Sequence, residues 1–370
     1  MVFICPLEHL ALSSRLHCRK KYIIMKKKRI VITIISVIVA LIAVAVVSSG
    51  VMFALVKSPV VSLSETAYIY VYPEDTSDSI INKVKAVANP SSVLGFKILA
   101  KHNNFDERKR SGKFAINDND SWHAIYGRIV RKEQTPVSVV VPSVRTFDQL
   151  SKAVSEQLMF DSLALQEFFE SAVFMKQIGY TKDTYLSLII PNTYEFYWNV
   201  EPEQFVIRMM KERKKFWNSE RTAKAEALGM TPAEVATLAS IVDEETNNNA
   251  EKPVVAGLYI NRLKRNIPLQ ADPTVKFALG DFARKRILLA DLEVESPYNT
   301  YKNVGLPPGP IRIPTIAAIE SVLNYARHNY IYMCAKEDFS GTHNFAVTLA
   351  EHNANAKRYQ AALNKLNIKK

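Results

Sequence analysis

Apolar and polar positions divide the chain into one long apolar run and a series of short periodic segments. Ile30 to Val56 (IVITIISVIVALIAVAVVSSGVMFALV) is twenty-seven residues without a charge, long enough to cross a bilayer with some tilt. Residues 57–66 (KSPVVSLSET) follow as a linker. Ala67 to Tyr72 then alternates as a strand, Pro73-Glu74-Asp75-Thr76 turns, and Ser77 to Val87 has helical spacing. The same signals return at Val137 to Val141, Pro142, Arg145-Thr146 and a helix from Phe147 to Leu158. Setting Pro73 on Pro142 brings Asp78 near Asp148 and Val84 near Val154, a weak internal repeat of strand–turn–helix units. Ser111 to Ile116 lies between them as a further strand.

Beyond residue 160 helical spacing dominates. Asp161 to Gly179 is helical, and its Phe168, Phe169, Val173 and Phe174 suit a core. Leu186 to Asn199 carries Tyr194, Tyr197 and Trp198, whose ring faces fit a sugar platform or core packing. Gln204 to Asn218 is a basic amphipathic helix with a solvated face. Val254 to Leu263 reads as another helix, with Arg262 near its end. Leu269 to Val275 reads as extended, bent by Pro273 after Asp272, and Gly305 to Pro310 as a rigid loop. A short helix at Ser321–Arg327, strands at Tyr330–Cys334 and His343–Val347, and a helix from Leu349 to Leu366 close the pattern before Lys369-Lys370.

The strongest helix start is at Thr231. Thr231 can cap, Pro232 fits the first helical position, and Glu234 completes a capping box. Val235, Leu238, Ala239 and Val242 then define a buried stripe. Three acids follow. At about 100° per residue, Glu244 points away from the stripe and Asp243 falls on its flank. Glu245 sits one turn beyond Ile241 and Val242 and joins the apolar side. A carboxyl there is partly desolvated, which raises its pKa and suits it to general-acid work. The bland alternative is a frayed helix end with three solvated acids.

Charge changes the picture little. The net charge is +12, but residues 1–29 alone account for +7, leaving +5 for the rest. The basic excess precedes the apolar run, as Lys26-Lys27-Lys28-Arg29, and orients a membrane helix with its N-terminus in the cytoplasm. A nucleic-acid domain would carry its charge on its own surface, so no nucleic-acid partner is expected. A cleaved signal peptide is the competing reading, and its apolar core would be unusually long. Met25, just before the basic run, is a second possible start. Cys5 and Cys18 precede the span and Cys334 stands alone after it, so no disulfide within the exported part is expected. Neither a phosphate loop, a GxSxG elbow nor a zinc motif is present, and neither metal nor cofactor is expected.

The segments after the acids form an ordered series: Asn261-Arg262-Leu263, Leu269-Gln270-Ala271-Asp272-Pro273-Thr274, Tyr298-Asn299-Thr300-Tyr301, Gly305-Leu306-Pro307-Pro308-Gly309-Pro310-Ile311, His343-Asn344-Phe345 and His352-Asn353. With Ala239-Ser240-Ile241-Val242 through Glu245-Thr246, they resemble the catalytic domain of the endolytic murein transglycosylases, the membrane-anchored MltG (YceG-like) family. The resemblance is specific from about Leu186 onward. Ser111 to Ile116 loosely resembles the "(A/S)GxY" strand of that family's LysM-like membrane-proximal module.

The resemblance implies an α+β protein: a basic N-terminus (1–29), one transmembrane helix (30–56), a linker (57–66), a small LysM-like domain (67–160) and a catalytic domain (161–370). It implies catalysis by Glu245, the glutamate directly before threonine. It also implies substrate contacts from Gln270, Asp272, Thr274, Tyr298, Asn299, Thr300, Tyr301, Pro308, His343 and Asn344. The implied reaction is cleavage of nascent glycan strands after MurNAc with 1,6-anhydro ends, outside the cytoplasmic membrane and in company with cell-wall synthases. Two alternatives remain open. A muramidase-type hydrolase would use Asp272 to activate water, and a non-catalytic, membrane-tethered protein would only hold glycan.

Overall fold

The structure, a computed structural model, describes residues 6–284 and 286–365; the side chains of residues 6–18, 23, 172 and 173 are not described. The side chains of Cys5 and Cys18 and the terminal Lys369-Lys370 thus lie outside the description. The chain divides into two compact units, up to Thr135 and from Pro136 onward, earlier than the boundary expected near residue 160.

The first unit opens with helix α1 (Pro6–Lys57), which continues without a break from the basic segment into the apolar run. Its part from Arg19 to Lys57 is long and apolar enough to cross a membrane; the apolar stretch is exposed, and only the end near Leu55 packs, against the helices at Leu94–His102 and Trp122–Arg131. A small α+β body follows: β1 (Ala67–Val71), α2 (Ser77–Ala88), α3 (Leu94–His102), β2 (Gly112–Ile116) and α4 (Trp122–Arg131). Thr76 caps α2 by accepting from the Ser79 amide. β1 and β2 pair antiparallel, Ala67 opposite Ile116 and Val71 opposite Gly112. The alternation read in the sequence puts Ile69, Val71, Phe114 and Ile116 inward, where Ile80, Val84, Phe96 and Trp122 complete the core.

The second unit begins with the second strand–helix pair, β3 (Val137–Val141) and α5 (Phe147–Ser155), then α6 (Ser162–Glu170) and α7 (Ala172–Ile178). β4 (Asn192–Phe196) pairs antiparallel with β3. Phe168, Phe169 and Phe174 pack against this core, and Tyr194 and Trp198 are buried, whereas Tyr197 is exposed. Three helices lead to the centre: α8 (Pro202–Phe216), α9 (Ser219–Ala227) and α10 (Pro232–Glu245). α10 starts as the sequence dictates, with the Thr231/Glu234 capping box and Pro232 in the first turn. Its stripe is wider than the spacing suggested, because Ala236, Thr237, Ser240 and Asp243 are buried along with Val235, Leu238, Ala239, Ile241 and Val242. A helix apolar nearly all round belongs inside, and each buried Val, Leu or Ile contributes roughly 1.5–3 kcal/mol.

Around α10 lie α11 (Lys252–Lys264), α12 (Asp272–Leu279) and α13 (Ile316–Leu323). β5 (Tyr332–Ala335) pairs antiparallel with β6 (His343–Ala346), and α14 (Leu349–Lys365) packs on both. Two sequence expectations are corrected here. The stretch read as extended from Leu269 to Val275 turns helical at Asp272: Pro273 falls in the first turn, where its missing N–H costs nothing, and Gly280 ends the helix in the left-handed region. The short helix expected at 321–327 begins instead at Ile316, because the Thr315 hydroxyl accepts the Ala318 amide, and it ends at Leu323.

Candidate active site

Three consecutive acids end α10, and tertiary packing gives each a different partner. Asp243 is buried against the Lys252 ammonium at 2.6 Å and accepts from the Thr315 amide and hydroxyl at 2.6 and 2.8 Å, tying α10 to the starts of α11 and α13. Glu244 was expected on a solvated face. It is instead largely covered, bound by both arms of Arg145 at 2.8 Å and by Arg312 at 3.0 Å. The spacing correctly turned it away from the α10 stripe, but the segments before α5 and α13 cover that side.

Glu245 turns into a cleft of about 230 Å³ lined by Leu258, Tyr259 and Arg262 of α11, Leu269, Gln270, Asp272, Tyr301, Met333, Cys334, Ala335 and His343. Its Oε1 accepts from the hydroxyl of the fully buried Tyr259 at 2.6 Å. Burial pushes the carboxyl up to about 7; the Tyr259 hydrogen bond opposes the rise, and the nearby Asp272 charge adds to it. Burial and the Glu245 charge drive the Tyr259 hydroxyl well above the ordinary tyrosine value, so it remains a donor. Its one proton is committed to Oε1, which leaves Oε2 to carry the exchangeable proton.

Opposite the acid, Asp272 opens α12, and its Oδ1 accepts from the Tyr301 hydroxyl at 2.6 Å. A carboxylate at a helix N-terminus is favoured by the dipole. His343 comes from β6. Its amide donates to Glu251 Oε1 at 2.7 Å and its Nδ1 lies 3.0 Å from Glu251 Oε2, so Nδ1 carries the proton and Nε2 is left unengaged by Glu251. Burial raises the Glu251 carboxyl, but donation from His343 and Thr246 outweighs it and holds the group below its usual range.

Of the residues singled out from the sequence, Glu245, Gln270, Asp272, Tyr301 and His343 meet in this cleft. The others build its frame. Thr274 and Thr300 are buried and share a hydroxyl contact of 2.8 Å, with Thr300 also accepting the Ala271 amide. Buried Asn299 donates to the Leu292 and Val294 carbonyls, Tyr298 donates to Asp183, and Asn344 donates to Glu337. Pro308 is exposed outside the cleft lining. Its loop docks elsewhere: a Cβ on Gly309 would stand 1.8 Å from the Asp183 carbonyl, so only glycine fits. The Ile311 amide donates to Ser240 on α10. Sequence reasoning missed Tyr259, Glu251 and the inward role of Arg262. Tyr259 precedes Asn261-Arg262-Leu263 on α11, but nothing in the spacing aims it at Glu245. A larger hollow of about 760 Å³ among α5, α6 and α7 contains none of the candidate catalytic or substrate-contact residues.

Comparisons with known proteins place the chain as a whole. The model of the YceG-like family matches residues 69–358. The chain belongs to that family. A relative from Bacillus subtilis (strain 168), named an endolytic murein transglycosylase, is 37% identical over 195 residues, 52% of either chain. One of the same name from Streptococcus pneumoniae serotype 2 is 27% identical over 273 residues, covering 65% of this chain and 49% of that one. The chain thus spans about half the length of these relatives. A crystal structure of a yceG-like protein from Listeria monocytogenes superposes with a TM-score of 0.54 at 25% identity, covering 79% of this chain and 99% of the other.

Proposed function

We propose that this YceG-like protein is an endolytic peptidoglycan lytic transglycosylase with Glu245 as its one acid–base group. The observation that carries this is the Glu245–Tyr259 pair: a carboxyl whose pKa is pushed up to about 7, with one oxygen held and the other left to exchange a proton. Glu245 Oε2 gives its proton to the glycosidic oxygen after MurNAc as the C1–O bond breaks. The C6 hydroxyl of the same sugar then attacks C1 and returns its proton to Glu245. One C–O bond forms for the one lost, no water is consumed, and the product ends in 1,6-anhydroMurNAc. Asp272, fixed by Tyr301, supplies standing negative charge near the developing oxocarbenium.

A muramidase-type hydrolase is the second reading, favoured by the presence of Asp272 in the same cleft. Mass spectrometry of glycan strands digested in ¹⁸O-labelled water separates the two. Anhydro ends without label are expected, also from Asp272→Asn at reduced rate; reducing ends carrying ¹⁸O would make Asp272 the base of a hydrolase. A protein that bound strands without turning them over would be a scaffold.

The rest of the reading follows the family resemblance. The apolar part of α1 anchors the chain with its N-terminus in the cytoplasm, and the units after residue 57 work outside the membrane on nascent strands, ending their elongation. The small α+β body after α1 acts as a LysM-like membrane-proximal module, and cell-wall synthases are the expected partners. Gln270, Asp272, Tyr301 and His343 contact the glycan directly; Thr274, Tyr298, Asn299, Thr300, Pro308 and Asn344 support the loops that carry them.

A further inference from the structure

Gln270 combines two unusual features at the edge of the cleft. Its backbone sits in the left-handed region at φ +49°, where a side chain without glycine's freedom is strained. Two contacts hold it there: its amide donates to the Thr300 carbonyl at 3.1 Å, and its Oε1 accepts from Arg262 Nη1 at 3.1 Å. Arg262 is buried, and its guanidinium also donates to the carbonyls of Ile331, Pro268 and Leu269 at 2.7–3.0 Å. A guanidinium has donors only, so the amide atom facing it must be oxygen. The Gln270 Nε2 is therefore turned the other way, and among the described residues it has no protein acceptor.

We propose that Arg262 is a positioning residue that locks Gln270 as a donor-only contact, and that Gln270 reads the acetamido carbonyl at C2 of a bound sugar. This deepens the transglycosylase reading and rests on it. Sugar hydroxyls both give and accept, and they would pair with either orientation of an amide. An acetamido carbonyl only accepts, and it fits a group presenting only N–H. A fixed donor then selects N-acetylated over de-N-acetylated sugar, because the free ammonium offers donors to donors.

The test uses the full chain in detergent and two substrates: uncross-linked glycan strands and the same strands chemically de-N-acetylated. Gln270→Glu keeps an oxygen for Arg262 but turns an acceptor into the cleft. Wild type should lose about tenfold or more in kcat/KM on de-N-acetylated strands, the scale of one lost hydrogen bond. Gln270→Glu should raise KM on N-acetylated strands with kcat little changed, and bring the ratio between substrates to one or invert it. Arg262→Lys, which lacks the planar fork, should also relax the ratio, an effect that general loosening of the cleft would not produce. Equal cutting of both substrates by wild type, or an unchanged ratio in Gln270→Glu, overturns the proposal while leaving the transglycosylase reading intact. A wild type that cuts neither substrate removes both.

Discussion

Glu245 and Tyr259 make the sharpest claims at the scale of single residues. Glu245→Gln keeps shape and hydrogen bonding but cannot exchange a proton, so turnover should fall at least about a hundredfold. Because the carboxyl titrates near 7 and must start protonated, wild-type kcat/KM should decline as pH rises through that value. The same shift fixes a stability effect. The folded carboxyl holds its proton more tightly than the unfolded one, so its contribution is complete below about 4.5 and is lost as pH rises through about 7. Glu245→Gln should therefore raise the unfolding midpoint at pH 8 and change it little at pH 4; an equal change at both would contradict a desolvated acid. Tyr259→Phe removes the donor that opposes the upward shift. The alkaline limb should move to higher pH while kcat falls by roughly tenfold, about the worth of one charge-assisted hydrogen bond. A limb that stays in place would separate Tyr259 from the acid.

Helix contacts change what the neighbouring acids should do. Glu244 bridges Arg145 and Arg312, so Glu244→Gln should cost about 1–3 kcal/mol of stability, the range for a partly covered charged hydrogen-bond network. A thermal melt should show a lower midpoint, while turnover per folded molecule well below the melt stays within about threefold of wild type. A loss of turnover as large as that of Glu245→Gln would shift the acid by one residue. The start of α10 was legible because capping is local: Thr231, Pro232 and Glu234 satisfy the first amides wherever the helix docks. The start of α12 was misread because a proline after an aspartate serves a bend or a first helical turn equally well. The buried Thr274–Thr300 contact that secures the turn joins residues twenty-six positions apart.

At the scale of the whole molecule, α1 is the one described helix long and apolar enough to cross a membrane, and it fits a single-pass anchor. A reporter fused after Lys370 should work only if it needs an environment outside the cytoplasm; activity in the cytoplasm, or a mature N-terminus near Gly50, would end that topology. The sequence by itself determined the apolar span, most of the strands, the capped central helix and the acids at its end. All depend on patterns within a few residues: apolar length, alternation, caps and the 100° step. It also determined the family, because the ordered motifs from Ala239 to His343 persist without knowledge of their contacts. Only the tertiary structure decided what surrounds the acid. Tyr259 lies on the next helix, Glu244 is covered by Arg145 from ninety-nine residues earlier, and Gln270 is held by Arg262 and Thr300 in a backbone that its own preferences disfavour. Desolvation and hydrogen-bond geometry depend on what packs nearby in space, and periodicity carries no record of that.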